Sequence, residues 1–324
     1  MPAPIELLRN LRHKKLDFIF RRKSRRSSKT PILIIPRELR DEIIDLVLLS
    51  GRIPPQRPDE KLNDRIELYE CPFHNEFKAG LVKYIMDPSV YLPNGIGLLL
   101  ANRQLHEETM QRIKDHEAQN LWKYKIDIML VEEKALWPTW VCIPPKIVHA
   151  DTMEVTFRIM GCDETAKRPE FQFSRGGGPS PITWGFYCIL DRFLRLGPAK
   201  PITGEYVEKA IKVKNIKMNF ITPECPVGFN IIPDGLPIER EEWEWRIRYS
   251  DRAIPIPDMS LLYIPSAESL AKFIHTSLWM LLAFWNTIGR LLVNGVDTIS
   301  LFIDGELHEM LDLVSFRATK GIAQ

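Results

Sequence analysis

Between residues 35 and 48 the apolar positions fall into two adjoining helical stripes. Leu39, Ile43, Leu46 and Val47 recur at i, i+4, i+7 and i+8, and Ile44 and Leu48 form a second stripe beside them. Arg37, Glu38, Arg40, Asp41, Glu42 and Asp45 fill the wet remainder, with Arg37 one turn before Asp41. Pro36 suits a first helical position, where its missing N–H is no loss. Gly51 and Pro54-Pro55 supply the stop. An apolar arc this wide needs cover on two sides. Such a helix is sandwiched within one domain, or lies between its own core and a partner.

Residues 51–95 read as a long connection rich in proline and charge, with a short helix or turn around 78–86. Helical periodicity returns over 96–113, where Leu98, Ala101, Leu105 and Thr109 share one face and Arg103 and Glu107 another. After residue 120 the texture becomes alternating. Strands are expected at 125–131, 140–143, 153–159, 213–221 and 298–303. Helices are expected at 182–196, ended by Gly197-Pro198, at 267–293 as one helix or a pair, and at 306–316 after Asp304-Gly305. Strand, helix, strand, helix, strand from 152 to 303 is the order of βαβ units, so parallel neighbours with helices on at least one face are expected. No fixed-period repeat is evident, although the alternation also fits a degenerate leucine-rich-repeat-like layer. The fold class expected is mixed α/β. A basic arm occupies 1–30, a helical region 31–120 with the connection at 51–95, and an α/β body 121–324.

Charge changes the picture at one place. The net charge of the 324 residues is only +2, yet residues 9–29 carry ten Lys or Arg and one acid, leaving −7 on the remainder. The densest part is Arg21, Arg22, Lys23, Arg25 and Arg26. That cluster reads as a nuclear-targeting signal or an electrostatic contact with nucleic acid or an anionic membrane, with a mitochondrial presequence and a plain solvated tail as rivals. Nucleic-acid binding is expected only through this arm. Five scattered cysteines without a CxxC pair fit reduced thiols inside a cell, and no secretory signal is evident. The greasiest run, 278–285, is too short to span a bilayer. Twenty-five prolines predict interrupted elements.

Candidate chemistry is sparse. The glycine run at 175–179 lacks the Gly-Lys-Ser/Thr end of a phosphate cradle. Cys71 and His74 have the spacing of two metal ligands, but a structural zinc site needs four. His106-Glu107-Glu108 and His308-Glu309 lack a second histidine one turn on. Cys188 sits in an apolar helix, where a thiol is inert. Trp243, Trp245, Ile247 and Tyr249 alternate with charge and read as a strand with one buried face, or as an aromatic contact surface. No catalytic, cofactor-binding or metal site is expected, and an enzyme with an unrecognised site is the least favoured reading.

Two stretches resemble known proteins. Residues 35–48 are similar to the first helix of an F-box in the form common to a large set of fungal F-box-like proteins. Leu99, Leu100, Asn102, Arg103, Gln104, His106 and Glu108 resemble a second helix of the same family. The resemblance covers about 30 of 324 residues, and departs from a compact F-box by the segment at 51–95. It implies a protein that works by contact rather than catalysis. Pro36, Leu39, Ile43, Ile44 and Val47 would supply the adaptor-facing or core-facing surface for a Skp-type adaptor of a cullin–RING ubiquitin ligase. Residues 121–324 would then select an unknown protein target. A family member acting as a nuclear scaffold without the ligase is the alternative. Either implies a nuclear or cytoplasmic location.

Overall fold

The computed structural model describes residues 31–68, 81–132, 135–145, 149–161, 181–198, 211–224, 229–231, 262–264, 266–284, 286 and 289–322. The basic arm, Cys71, His74, the glycine run and Trp243–Tyr249 lie outside them.

A mixed sheet of eight strands organises the chain. Its members are β1 (Arg65–Leu68), β2 (Leu81–Ile85), β3 (Lys123–Val131), β4 (Ala135–Cys142), β5 (His149–Met160), β6 (Lys212–Ile221), β9 (Val296–Ile303) and β10 (Glu306–Asp312). A separate parallel pair joins β7 (Phe229–Ile231) to β8 (Leu262–Ile264). The order across the large sheet is β1-β2-β4-β3-β5-β6-β9-β10. The centre, β3-β5-β6-β9, is parallel throughout, while β1-β2, β3-β4 and β9-β10 are antiparallel.

Among the described residues seven α-helices accompany it: α1 (Arg37–Leu49), α2 (Ile96–Ala101), α3 (Arg103–Ala118), α4 (Pro181–Leu196), α5 (Ala267–Ala283), α6 (Arg290–Gly295) and α7 (Leu313–Lys320). α4 bridges β5 to β6, and α5 and α6 lie between β6 and β9, the crossover order expected from the sequence. Alternation along β5 and β6 sends Met153, Val155, Phe157, Ile216, Met218 and Phe220 to one face. There they meet Phe186, Leu190, Phe193, Ile274, Leu278 and Val293 in one continuous core. Phe157 and Phe220 stack with centroids 4.8 Å apart, and Phe186 meets Phe157 edge-on at 5.2 Å.

Positions of opposite parity form a polar grid on the other face. One row reads Lys125, Glu154, Lys217, Ser300, Met310 across β3, β5, β6, β9 and β10. The next reads Asp127, Thr156, Asn219, Phe302, Leu307.

Three expectations need correction. The 51–95 segment is not only a connection: where a helix or turn was expected around 78–86, β2 runs instead, parallel to β4. β1 and β2 therefore belong to the same sheet as the body. The 96–113 helix is two helices, broken at Asn102, whose extended backbone (φ −161°, ψ 170°) lets its side chain cap α3 at Leu105 N, 2.9 Å away. Finally, 306–312 is a strand rather than a helix. Asp304 (φ 49°) and Gly305 (φ 88°) both take positive φ, the backbone of a hairpin turn whose twist matches its strands. Helix begins only at Leu313, capped by Asp312.

Candidate functional site

The first helix presents two faces with different fates. Arg40, Ile44 and Leu48, at i, i+4 and i+8, are buried. Ile44 and Leu48 join Ile113 of α3, Trp122 and, from α2, Leu98 and Leu99 in a small second core. About two-fifths of a turn round the helix, Leu39 (48% exposed) and Leu46 (71%) face outward. Ile43 and Val47 beside them are half-buried. Ile34, Leu49 and Ile53 extend the exposed apolar surface beyond the stripe. Among the described residues nothing covers Leu39 or Leu46, and a large apolar side chain left in water marks an interaction surface when it has several such neighbours.

The five residues assigned to partner contact therefore divide. Pro36 and Leu39 are exposed, and Ile43 and Val47 are half-buried. Ile44 is fully buried and belongs to the core-facing side. Pro36 is the residue before the helix rather than its first member, and its carbonyl accepts from Arg40 N at 3.1 Å. Arg21, Arg22, Lys23, Arg25 and Arg26 lie outside the described residues.

What fixes α1 at this angle is ionic, and the sequence reading missed it by placing Arg40 and Asp45 on the wet side. Arg40 forks onto both oxygens of Glu108 at 2.9 and 2.6 Å and donates a further bond to Ile35 O at 2.6 Å. Gln104 donates to the same carboxylate at 2.9 Å. The Arg40 hydrogen bonds hold the Glu108 carboxyl below its ordinary range, against the opposing push of burial. One turn on, Asp45 accepts two bonds from Arg112 and one from the His116 Nε2–H at 2.7 Å. Burial pushes the Asp45 carboxyl up, but Arg112 and His116 outweigh it and the carboxyl sits low. The signal was present in the sequence: Arg40 lies in line with Ile44 and Leu48, and a charge on a buried stripe requires a partner.

The second resembling stretch acquires a physical role residue by residue. Asn102 caps α3, Glu108 receives Arg40 while Gln104 donates to the same carboxylate, and the His106 Nδ1–H donates to Leu99 O at 2.8 Å, tying α2 to α3. Arg103 pairs with exposed Glu107, and Leu100 points outward. At the far end of α1, the Asn94 amide donates to Leu48 O at 3.2 Å and Ser50 O at 2.6 Å, satisfying orphan carbonyls of the helix end. Gly95 beside it has φ +74°, and a Cβ there would stand 2.6 Å from Leu48 Cδ2.

The 51–68 segment is stapled to the sheet just as firmly. Arg52 N donates to Val141 O at 2.7 Å. Arg158 holds Asp127 at 2.8 and 2.6 Å and also reaches Pro55 O at 2.6 Å. Burial raises the Asp127 carboxyl and Arg158 only partly offsets it. Arg65 donates to Lys83 O, Pro138 O and Thr139 Oγ1 with its guanidinium 5.1 Å from the Trp137 ring. Burial pushes Arg65 down to about 10. Each cation here is held by structural acceptors.

Cys142 is buried, its thiol pushed up by that burial and contacted by Asn94, and Cys188 is buried inside α4. Among the described residues no group of three or more His, Cys, Asp or Glu is placed to hold a metal ion. No helix among them is long and apolar enough to cross a membrane. Comparison with protein-family models, with curated proteins and with solved structures finds no match to this chain.

Proposed function

We propose that this chain is an F-box-like recognition protein: α1 docks a Skp-type adaptor of a cullin–RING ubiquitin ligase, and the sheet-centred body selects a protein target. The observation that carries the reading is the outward apolar stripe of Leu39, Ile43, Leu46 and Val47, on a helix whose other face is locked to its own core by Arg40–Glu108 and Asp45–Arg112. A helix held rigidly on one side while leaving aliphatic side chains in water is preorganised for a second helix or groove, because little further ordering opposes association. A second reading is a scaffold whose α1 stripe meets a different protein, without a ligase. The two strands inserted between α1 and α2 favour it, since they alter the surroundings of the stripe relative to a compact F-box.

Co-purification separates the readings. The wild-type chain brings down a Skp-type adaptor, and Leu39→Asp/Leu46→Asp does not. Both positions are exposed, so the double variant keeps its fold, checked by its melting temperature. Failure of the wild type to retain the adaptor, under conditions where an established F-box protein does, refutes the ligase reading. A different protein retained by wild type and lost from the variant establishes the scaffold reading.

A further inference from the structure

The sheet ends in β10, and among the described residues nothing pairs with its outer edge. A free edge is a row of unpaired N–H and C=O groups, and sheets blunt such edges unless they are used. β10 is seven residues long and carries no proline or lysine, and its one irregularity, a bulge between Leu307 and Glu309, sets Leu307 and Met310 on one face and Glu306 and Glu309 on the other. It leaves two large apolar side chains in water on the polar-grid face, Leu307 (61% exposed) and Met310 (58%). Leu307 continues the row of half-buried Phe302 on β9, and Met310 continues the neighbouring row of Ser300. On the helix face the strand presents acid: Glu306, and Glu309, which His275 meets at 3.1 Å. Asp312 closes the strand while capping α7. α7 itself turns inward, where Arg317 donates to Val296 O at 2.8 Å and to Asp297 at 2.7 Å, so it leaves the edge open.

We propose that β10 receives an extended segment of a partner protein as a ninth strand, and that this segment alternates apolar residues with Lys or Arg. Backbone pairing supplies affinity and the side-chain alternation supplies selectivity. Apolar residues of the incoming strand lie beside Leu307 and Met310, and its cations lie beside Glu306 and Glu309. A second copy of this chain fits poorly. Antiparallel self-pairing centred on the strand sets Glu309 against its own copy and Glu306 against Asp312, and directly opposed like charges destabilise a sheet.

A fluorescein-labelled nine-residue peptide alternating Val and Lys, titrated against the full chain by anisotropy, tests this. Saturable binding is expected, at least tenfold weaker for the peptide with Glu in place of each Lys. It is also at least tenfold weaker for a peptide N-methylated at the alternate amides that would face β10. E306K/E309K reverses the charge preference. The N-methylated probe needs only wild-type protein, so the test survives a variant that does not fold. Equal binding of the N-methylated peptide overturns strand addition in favour of loose charge attraction. So does an absence of saturable binding up to millimolar peptide. Self-association of the full chain that excess Val/Lys peptide competes away overturns the heterologous partner in favour of a second copy.

Discussion

Truncating Ile44 and truncating Leu46, two residues apart on one helix, have very unequal consequences. Ile44 is fully buried in the small core with Ile113 and Trp122, so Ile44→Ala removes buried methylenes and leaves a cavity, at about 2–5 kcal/mol. Leu46 keeps 71% of its surface in water. Only about three-tenths of a leucine's ~1.5–3 kcal/mol of burial is at stake there, or about 0.4–0.9 kcal/mol. Native-state hydrogen exchange read on peptides spanning α1 converts these values into rates, tenfold for about every 1.4 kcal/mol. Ile44→Ala accelerates exchange of α1 amides about 30-fold to about 4,000-fold, while Leu46→Ala accelerates it about two- to fivefold. Comparable acceleration by the two variants, or a larger effect at Leu46, refutes the orientation of the helix and every inference drawn from its outward stripe.

Acid loosens the same junction. The Asp45 and Glu108 carboxyls are depressed in the folded state, so their contribution is complete above the ordinary carboxylate value of about 4 and is lost as pH falls through the lowered values. Pepsin cleavage within α1 is therefore slower in wild type than in Asp45→Asn/Glu108→Gln near pH 5, and the gap closes towards pH about 2; a gap that is the same at both ends contradicts the linkage. Asn94→Ala orphans the carbonyls of Leu48 and Ser50 and lowers α1 protection by about 1–3 kcal/mol, whereas exposed Gln111→Ala leaves it unchanged, both read by the same exchange experiment. Gly95→Ala combines a positive φ with a clash on Leu48 and lowers the melting temperature more than Gly97→Ala, where a Cβ meets open space. Gly305→Val strains the β9–β10 turn, and proteolysis at 304–308 quickens while the α1 peptides are unaffected.

The parts of the fold legible in the sequence were those with a clean period. β3, β5, β6 and β9 alternate or run apolar, and Gly197 ends α4 where its positive φ is required. Residues 306–312 misled because Leu307, Met310 and Leu311 also fit a helical spacing. The better cue was Asp304-Gly305 directly after a strand, which demands a hairpin. β2 was missed because in a five-residue strand at the sheet's flank the buried Val82, Tyr84 and Ile85 do not keep a clean period of two. In the candidate site, the width of the apolar arc was legible but its division was not. Which stripe faces inward depends on Glu108 and Arg112, 68 and 67 residues away in sequence from Arg40 and Asp45 respectively, and no local pattern encodes a pairing that distant.

The strands inserted between α1 and α2 have a mechanical consequence. α1 ends at Leu49, and three residues later Arg52 is already hydrogen-bonded to β4. There is no length of chain in which the helix can swivel against the sheet. On the proposed function, a protein seated on the outward stripe is therefore held at one bearing to the body, and a target bound by the body would be presented from a fixed direction and distance. Such an arrangement confines reach to a narrow arc, so selectivity among acceptor sites on a bound target would come from geometry alone, without a tether whose length has to be tuned.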